Sequence, residues 1–166
     1  MAEPMIGKPE KVQMGKLKSP KQAAAPKVMN SAEIITQVLV KETGDKKTAQ
    51  KFISDVGRLV QAKKAQLVQL GQTVFLLNMI DSQGKPLPPG TVMMFPFTAE
   101  PEQAPERIKV LPNTLRQMGF KRLTSMTDDK GDVELAKSMG PNVNVAQKMI
   151  FDGQQMSPMY VIEMDL

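Results

Sequence analysis

Asp128, Asp129, Asp132 and Glu134 fall within the stretch TDDKGDVE and form the densest set of side chains able to hold a metal or a proton. Spacing decides against the metal. A calcium loop needs oxygen ligands at alternate positions and a bidentate Glu at the twelfth, and here Lys130 stands where the second ligand belongs. The stretch reads as a turn followed by a helix cap at Asp132. Acid–base hydrolysis needs two carboxylates facing each other across a cleft. Asp128 and Asp129 are adjacent and diverge in an extended chain, while Glu100, Glu102 and Glu106 lie in a proline-rich loop and read as solvation.

The chain has no His and no Cys among its 166 residues. That excludes zinc sites of the usual kind, Ser-His-Asp and Cys-His nucleophiles, and disulfides. Absent cysteine fits a reducing compartment. Neither GxGxxG nor GxxxxGK[ST] occurs, so no glycine-rich phosphate cradle is present. There is no C2H2 finger and no RNP1 stretch, and one Tyr with six Phe leaves few platforms for base stacking. No family signature is recognised. The chemistry points to a protein that is not an enzyme, with no cofactor and no metal.

Charge placement is the stronger signal. Residues 1–29 carry six lysines against Glu3 and Glu10, whereas residues 121–166 carry five basic against seven acidic side chains. Pro4, Pro9, Pro20 and Pro26 break any helix in that front segment and favour extended backbone. It is an extended basic Pro/Lys arm, followed by one domain over 30–166. Two uses of the arm compete. In the first, Met5, Ile6 and Leu17 are apolar pegs between Lys8, Lys11, Lys16, Lys18, Lys21 and Lys27, and the arm docks on neighbouring subunits. In the second, the lysines meet phosphates without sequence preference. A plain solubilising tail is the third reading.

The arm precedes two helices. Asn30 to Glu33 is a capping box that starts a helix over 31–43, and Gly44 stops it. Asp45 caps a second helix over 46–70, whose apolar stripe includes Phe52, Ile53, Val56, Leu59, Leu67 and Leu70. Lys47, Lys51 and Arg58 share its opposite face, a candidate nucleic-acid surface or a solvated back. Lys63 projects from the apolar stripe, and either snorkels to water or meets an acidic group of another subunit.

Beyond Gly71, residues 73–80 and 91–97 read as strands of a hairpin with a long connection. Pro96 marks the second as an edge or bulged strand. Residues 101–105 read as loop, 108–111 as a short strand, and Asn113 as the cap of a short helix. Residues 120–126 favour strand, 143–150 are open between strand and helix, and 159–164 read as a final strand. The expected class is α+β, with two N-terminal helices packed on a small mixed or antiparallel sheet. The helical part spans 30–71, with strands and short helices over 72–166.

The expected function is a non-enzymatic assembly protein, its composition compatible with a subunit of a bacteriophage virion. Its partners would be copies of itself or other particle proteins. The alternative is a sequence-tolerant RNA- or DNA-binding protein using the arm and the basic helix face. No run of about 18 apolar residues exists to span a membrane. The N-terminus has no secretory signal, so the expected location is the virion or the cytoplasm of an infected cell.

Overall fold

The computed structural model describes residues 29–151 and 153–166. The expected arm, with its contact residues from Met5 to Lys27, lies outside the described residues apart from Met29.

Helix α1 (Ser31–Thr43) begins as its capping box requires. Asn30 Oδ1 accepts the Glu33 N–H at 2.9 Å, and Glu33 Oε1 accepts the Asn30 N–H at 3.0 Å. Gly44 ends it at φ 70°. Asp45 then caps α2 (Lys46–Gln61), taking the Lys47 N–H at 3.0 Å and the Thr48 hydroxyl at 2.6 Å. This helix stops at Gln61, short of the expected residue 70. Lys63 turns the chain with φ 60°, and residues 65–70 become strand β1 (Ala65–Leu70). Ala65 and Leu67, two apart, share the face of β1 that packs with α2. A two-residue period thus replaces the helical one, and Lys63 lies exposed in a turn and interrupts no helical stripe.

Strand β2 (Thr73–Asn78) is buried over its first five residues, as its continuous apolar run implies. It pairs antiparallel with β1 and with β3 (Thr91–Thr98). Strand β3 is neither at an edge nor bulged, because β4 (Arg122–Thr127) lies on its other side. Between them runs α3 (Ala104–Gln117), preceded by a 3-10 turn at Pro101–Gln103. One helix therefore replaces the expected loop, short strand and Asn113-capped helix. Ile108, Leu111 and Leu115 fall on one stripe and are fully buried, and this outweighs the bond that Pro112 cannot make. Helix α4 (Lys130–Lys137) is capped by Asp129, which takes the Gly131 N–H at 2.6 Å; Asp132 is not the cap. Strands β5 (Val143–Phe151) and β6 (Met156–Asp165) close the chain as an antiparallel hairpin.

The six strands form one mixed sheet in the order β1-β2-β3-β4-β6-β5. Helices α1 and α2 pack on one face, where Ile34, Ile35 and Val56 meet Val74, Leu76, Phe95 and Phe97. Helices α3 and α4 cover the other, where Ile108, Leu111, Leu115 and Val133 meet Phe75, Leu77, Val92, Leu123 and Ile162. Four helices on a six-stranded sheet correct the expected class of two helices on a small sheet.

Candidate active site

The sheet contains one parallel pair, and it comes apart. Strands β3 and β4 are matched over only Thr91↔Arg122, Val92↔Leu123 and Met93↔Thr124. At the closed end the Gly90 carbonyl accepts the N–H groups of Lys121 and Arg122 at 2.7 and 3.1 Å. Beyond Met93 the strands part, and the Met94 carbonyl accepts the Ser125 hydroxyl at 2.8 Å where a backbone rung would otherwise fall. Backbone groups of consecutive residues point to opposite sides of a strand. Met94 points toward β4, so Pro96 does too, while Ala99 donates its N–H to Gln72 on the β2 side at 2.9 Å. The N–H that Pro96 lacks is thus lost from the open fork and not from the β2–β3 ladder.

The fork opens a slot through the sheet. Two cavities of about 400 and 270 Å³ adjoin there and share Glu42, Pro96, Asp132 and Leu135. Its apolar walls include Met94, Phe95, Ile108 and Ala136. Its polar groups come from five elements, with Thr73 supplied by β2. Lys41 and Glu42 come from the last turn of α1, Thr98 from β3, Ser125 and Thr127 from β4, and Asp132 from α4. Thr127 donates its hydroxyl to Asp132 at 2.7 Å, which joins the end of β4 to the start of α4.

At the mouth, Glu100 does more than meet solvent. Arg107 donates to both of its oxygens, at 3.0 and 3.4 Å, and the Gln72 N–H donates at 2.9 Å. The Arg107 guanidinium, with help from that N–H, holds the Glu100 carboxyl below its ordinary value, and Arg107 is raised in return. The guanidinium crosses Gly71, where an added Cβ would lie 2.6 Å from it at φ +64°. Any larger residue there would have to push the guanidinium aside in a left-handed conformation that favours glycine.

The residues singled out from sequence fall elsewhere. Lys47, Lys51 and Arg58 are exposed on α2, and none lines the slot. Lys51 pairs with Asp55 at 2.9 Å, and Arg58 pairs with the same carboxylate. Asp128 does not line the slot, and Asp129 is consumed by its cap. Among the described residues, no group of three or more Asp or Glu is placed to hold a metal ion, and no helix is long and apolar enough to cross a membrane.

No protein-family model matches the chain, and no curated protein matches its sequence. Its fold does match solved structures. The microcin C7 self-immunity acetyltransferase MccE, in complex with acetyl-CoA and AMP, aligns at 16% identity and a TM-score of 0.56 over 81% of this chain and 87% of that one. RimL, a ribosomal L7/L12 alpha-N-protein acetyltransferase, aligns at 10% identity and a TM-score of 0.58 over 81% and 84%. An acetyltransferase of Bacillus subtilis in complex with CoA aligns at 13% identity and a TM-score of 0.50 over 83% and 95%. These likenesses overturn the expectation of a non-enzymatic virion subunit and leave a virion location unsupported. The fold of the described residues is the GNAT acetyltransferase fold.

Proposed function

We propose that the chain is an acyltransferase that moves an acyl group onto an amine at the fork between β3 and β4. The observation that carries this is the parting of the one parallel pair, which gives an acetyltransferase fold a slot through its sheet. The slot's apolar walls at Met94, Phe95 and Ile108 suit a slim acyl arm, while Glu42 and Asp132 are exposed to solvent. Transfer forms a C–N bond to the amine, breaks the bond from the acyl carbon to its leaving group, and releases a proton from the amine. Glu42 and Asp132 line both cavities and are the carboxylates placed to take that proton. Thr127 holds Asp132 on one oxygen.

Coenzyme A tests the mouth of the slot. A helix N-terminus with free N–H groups suits a diphosphate. The start of α3 does not fit one. Pro105 has no N–H, the Ala104 N–H is given to Pro101, and the Gln103 N–H is given to Glu100 at 2.8 Å. Glu102 and Glu106 place carboxylates in the same turns, and Arg107 is committed to Glu100. We therefore assign the donor by the slot alone, as an acyl thioester on a slim arm with no diphosphate contact at α3.

The test is acetyl transfer to a panel of amines, read by mass spectrometry. Two donors are compared, acetyl-CoA and the acetyl thioester of N-acetylcysteamine, which has no phosphate. Comparable kcat/KM for the two is expected. Transfer from neither sinks the acyltransferase reading. A preference for acetyl-CoA of about a hundredfold or more, some 2.7 kcal/mol, sinks only the assignment of the donor.

A further inference from the structure

A second pocket lies at the same fork, on the sheet face that carries α1 and α2. It holds about 250 Å³, and Asn78, Asp81, Met93, Phe95, Met126 and Met159 are among its walls. Phe95 and Met126 also line the slot, so the two spaces meet at the fork. Register explains the meeting. Asn78 stands opposite Met93, and Met93 is the last β3 residue matched to β4.

One wall atom is out of place in a finished protein interior. Asn78 Oδ1 is buried and has no hydrogen-bond partner. Buried acceptors are normally satisfied, and one that is not destabilises the fold unless something else supplies the donor. Asp81 does not compete for that donor at both oxygens, because its Oδ1 already takes the N–H groups of Gln83 and Lys85 at 2.8 and 2.9 Å. The remaining walls are the Met93, Met126 and Met159 thioethers, the Phe95 ring, the Ile80 side chain and, beside Asp81, the Ser82 hydroxyl. Methionine adapts its shape to an alkyl chain.

We infer that this pocket seats the acceptor of the transfer, a primary amine on an unbranched apolar stem, with Asn78 Oδ1 accepting one N–H of the amine. This rests on the acyltransferase reading of the fork. The stem lies against Met93, Met126 and Met159. The single hydrogen bond fixes the nitrogen so that its lone pair turns toward the acyl carbon in the slot. Asn78 is a positioning residue and takes no proton. A lysine side chain and a free alkyl diamine both carry this chemistry.

The experiment measures binding and transfer separately on the full chain. Calorimetry is run with Nα-acetyl-lysine amide, with butane-1,4-diamine and with glycinamide, which lacks the stem. The two stemmed amines should bind and glycinamide should not; which of the two binds tighter identifies the source of the acceptor. Asn78→Leu removes the orphaned acceptor and should raise or preserve the unfolding temperature, while weakening amine binding about tenfold. Asn78→Asp restores an acceptor and should restore binding. Met159→Gln attacks the stem wall independently and should weaken both stemmed amines alike. Equal affinity of wild type and Asn78→Leu for every amine overturns the assignment even if transfer is robust. Asn78-dependent binding with no transfer from any donor leaves the pocket standing and removes the acyltransferase reading.

Discussion

The two leaves of the sheet that meet at the fork are finished differently. The leaf β1-β2-β3 is covered on both faces, by α1 and α2 on one side and by α3 on the other. The leaf β4-β6-β5 is covered on one. Its Leu123, Ile162 and Met164 are buried with α3 and α4, whereas Thr124, Met126, Met159, Val161 and Glu163, on the opposite face, are not buried. Helices over that second face would close the acceptor side of the fork. Stability is concentrated in one leaf and access in the other.

The largest expected effect tests that division. Leu77 is fully buried in β2, and Leu77→Ala should cost about 3 kcal/mol in urea unfolding. Val161→Ala, on the open face, should cost less than about 1 kcal/mol. Equal losses would mean that the second face is covered in solution.

The next effect is at the mouth. Gly71→Ala places a Cβ 2.6 Å from the Arg107 guanidinium at a backbone angle that disfavours side chains, and should destabilise by about 2 kcal/mol. A change within error would show that Arg107 is free to leave Glu100.

Smaller again is the start of α4. Asp129→Ala should cost about 1 kcal/mol through the lost cap, and Asp132→Ala less, since it loses one hydroxyl contact. The reverse order would return the cap to Asp132.

The smallest effect is a pH dependence. Glu100 is held below its ordinary 4.5 by Arg107, so the folded state binds that proton more weakly than the unfolded chain does. Its contribution is present above the ordinary value and fades as pH falls through the lowered one. Arg107→Gln should flatten the acid limb of the stability curve in that window. An unchanged limb would show that the pair contributes nothing to folding.

The N-terminal helices were legible because their signals are local. Asn30, Glu33, Gly44 and Asp45 each act within a few residues, and each acts as expected. Helix α3 was not legible, because Pro101, Pro105 and Pro112 look like breaks. The burial stripe of Ile108, Leu111 and Leu115 gains its strength from β2, β3 and β4, which are distant in sequence. The end of α2 was missed for a related reason. Leu67 and Leu70 suit both a helical stripe and a strand, and pairing with β2 chose the strand. The site was illegible in kind. Its residues come in ones, twos and short runs from α1, β2, β3, α3, β4, α4 and β6, none of them a recognisable motif, and they converge only because a parallel pair stops after three residues.

The methionine lining of the acceptor pocket has a consequence for oxidative damage. The chain offers thiol reagents no target, having no cysteine, yet Met93, Met126 and Met159 place three thioethers around one small space. Peroxide converts each into a polar, chiral sulfoxide. Such a group would carry its own acceptor oxygen into the pocket, crowd the alkyl stem and compete with Asn78 for the N–H. Mild oxidant would therefore silence the pocket while the buried β1-β2-β3 leaf keeps the protein folded, and methionine sulfoxide reductase would restore it.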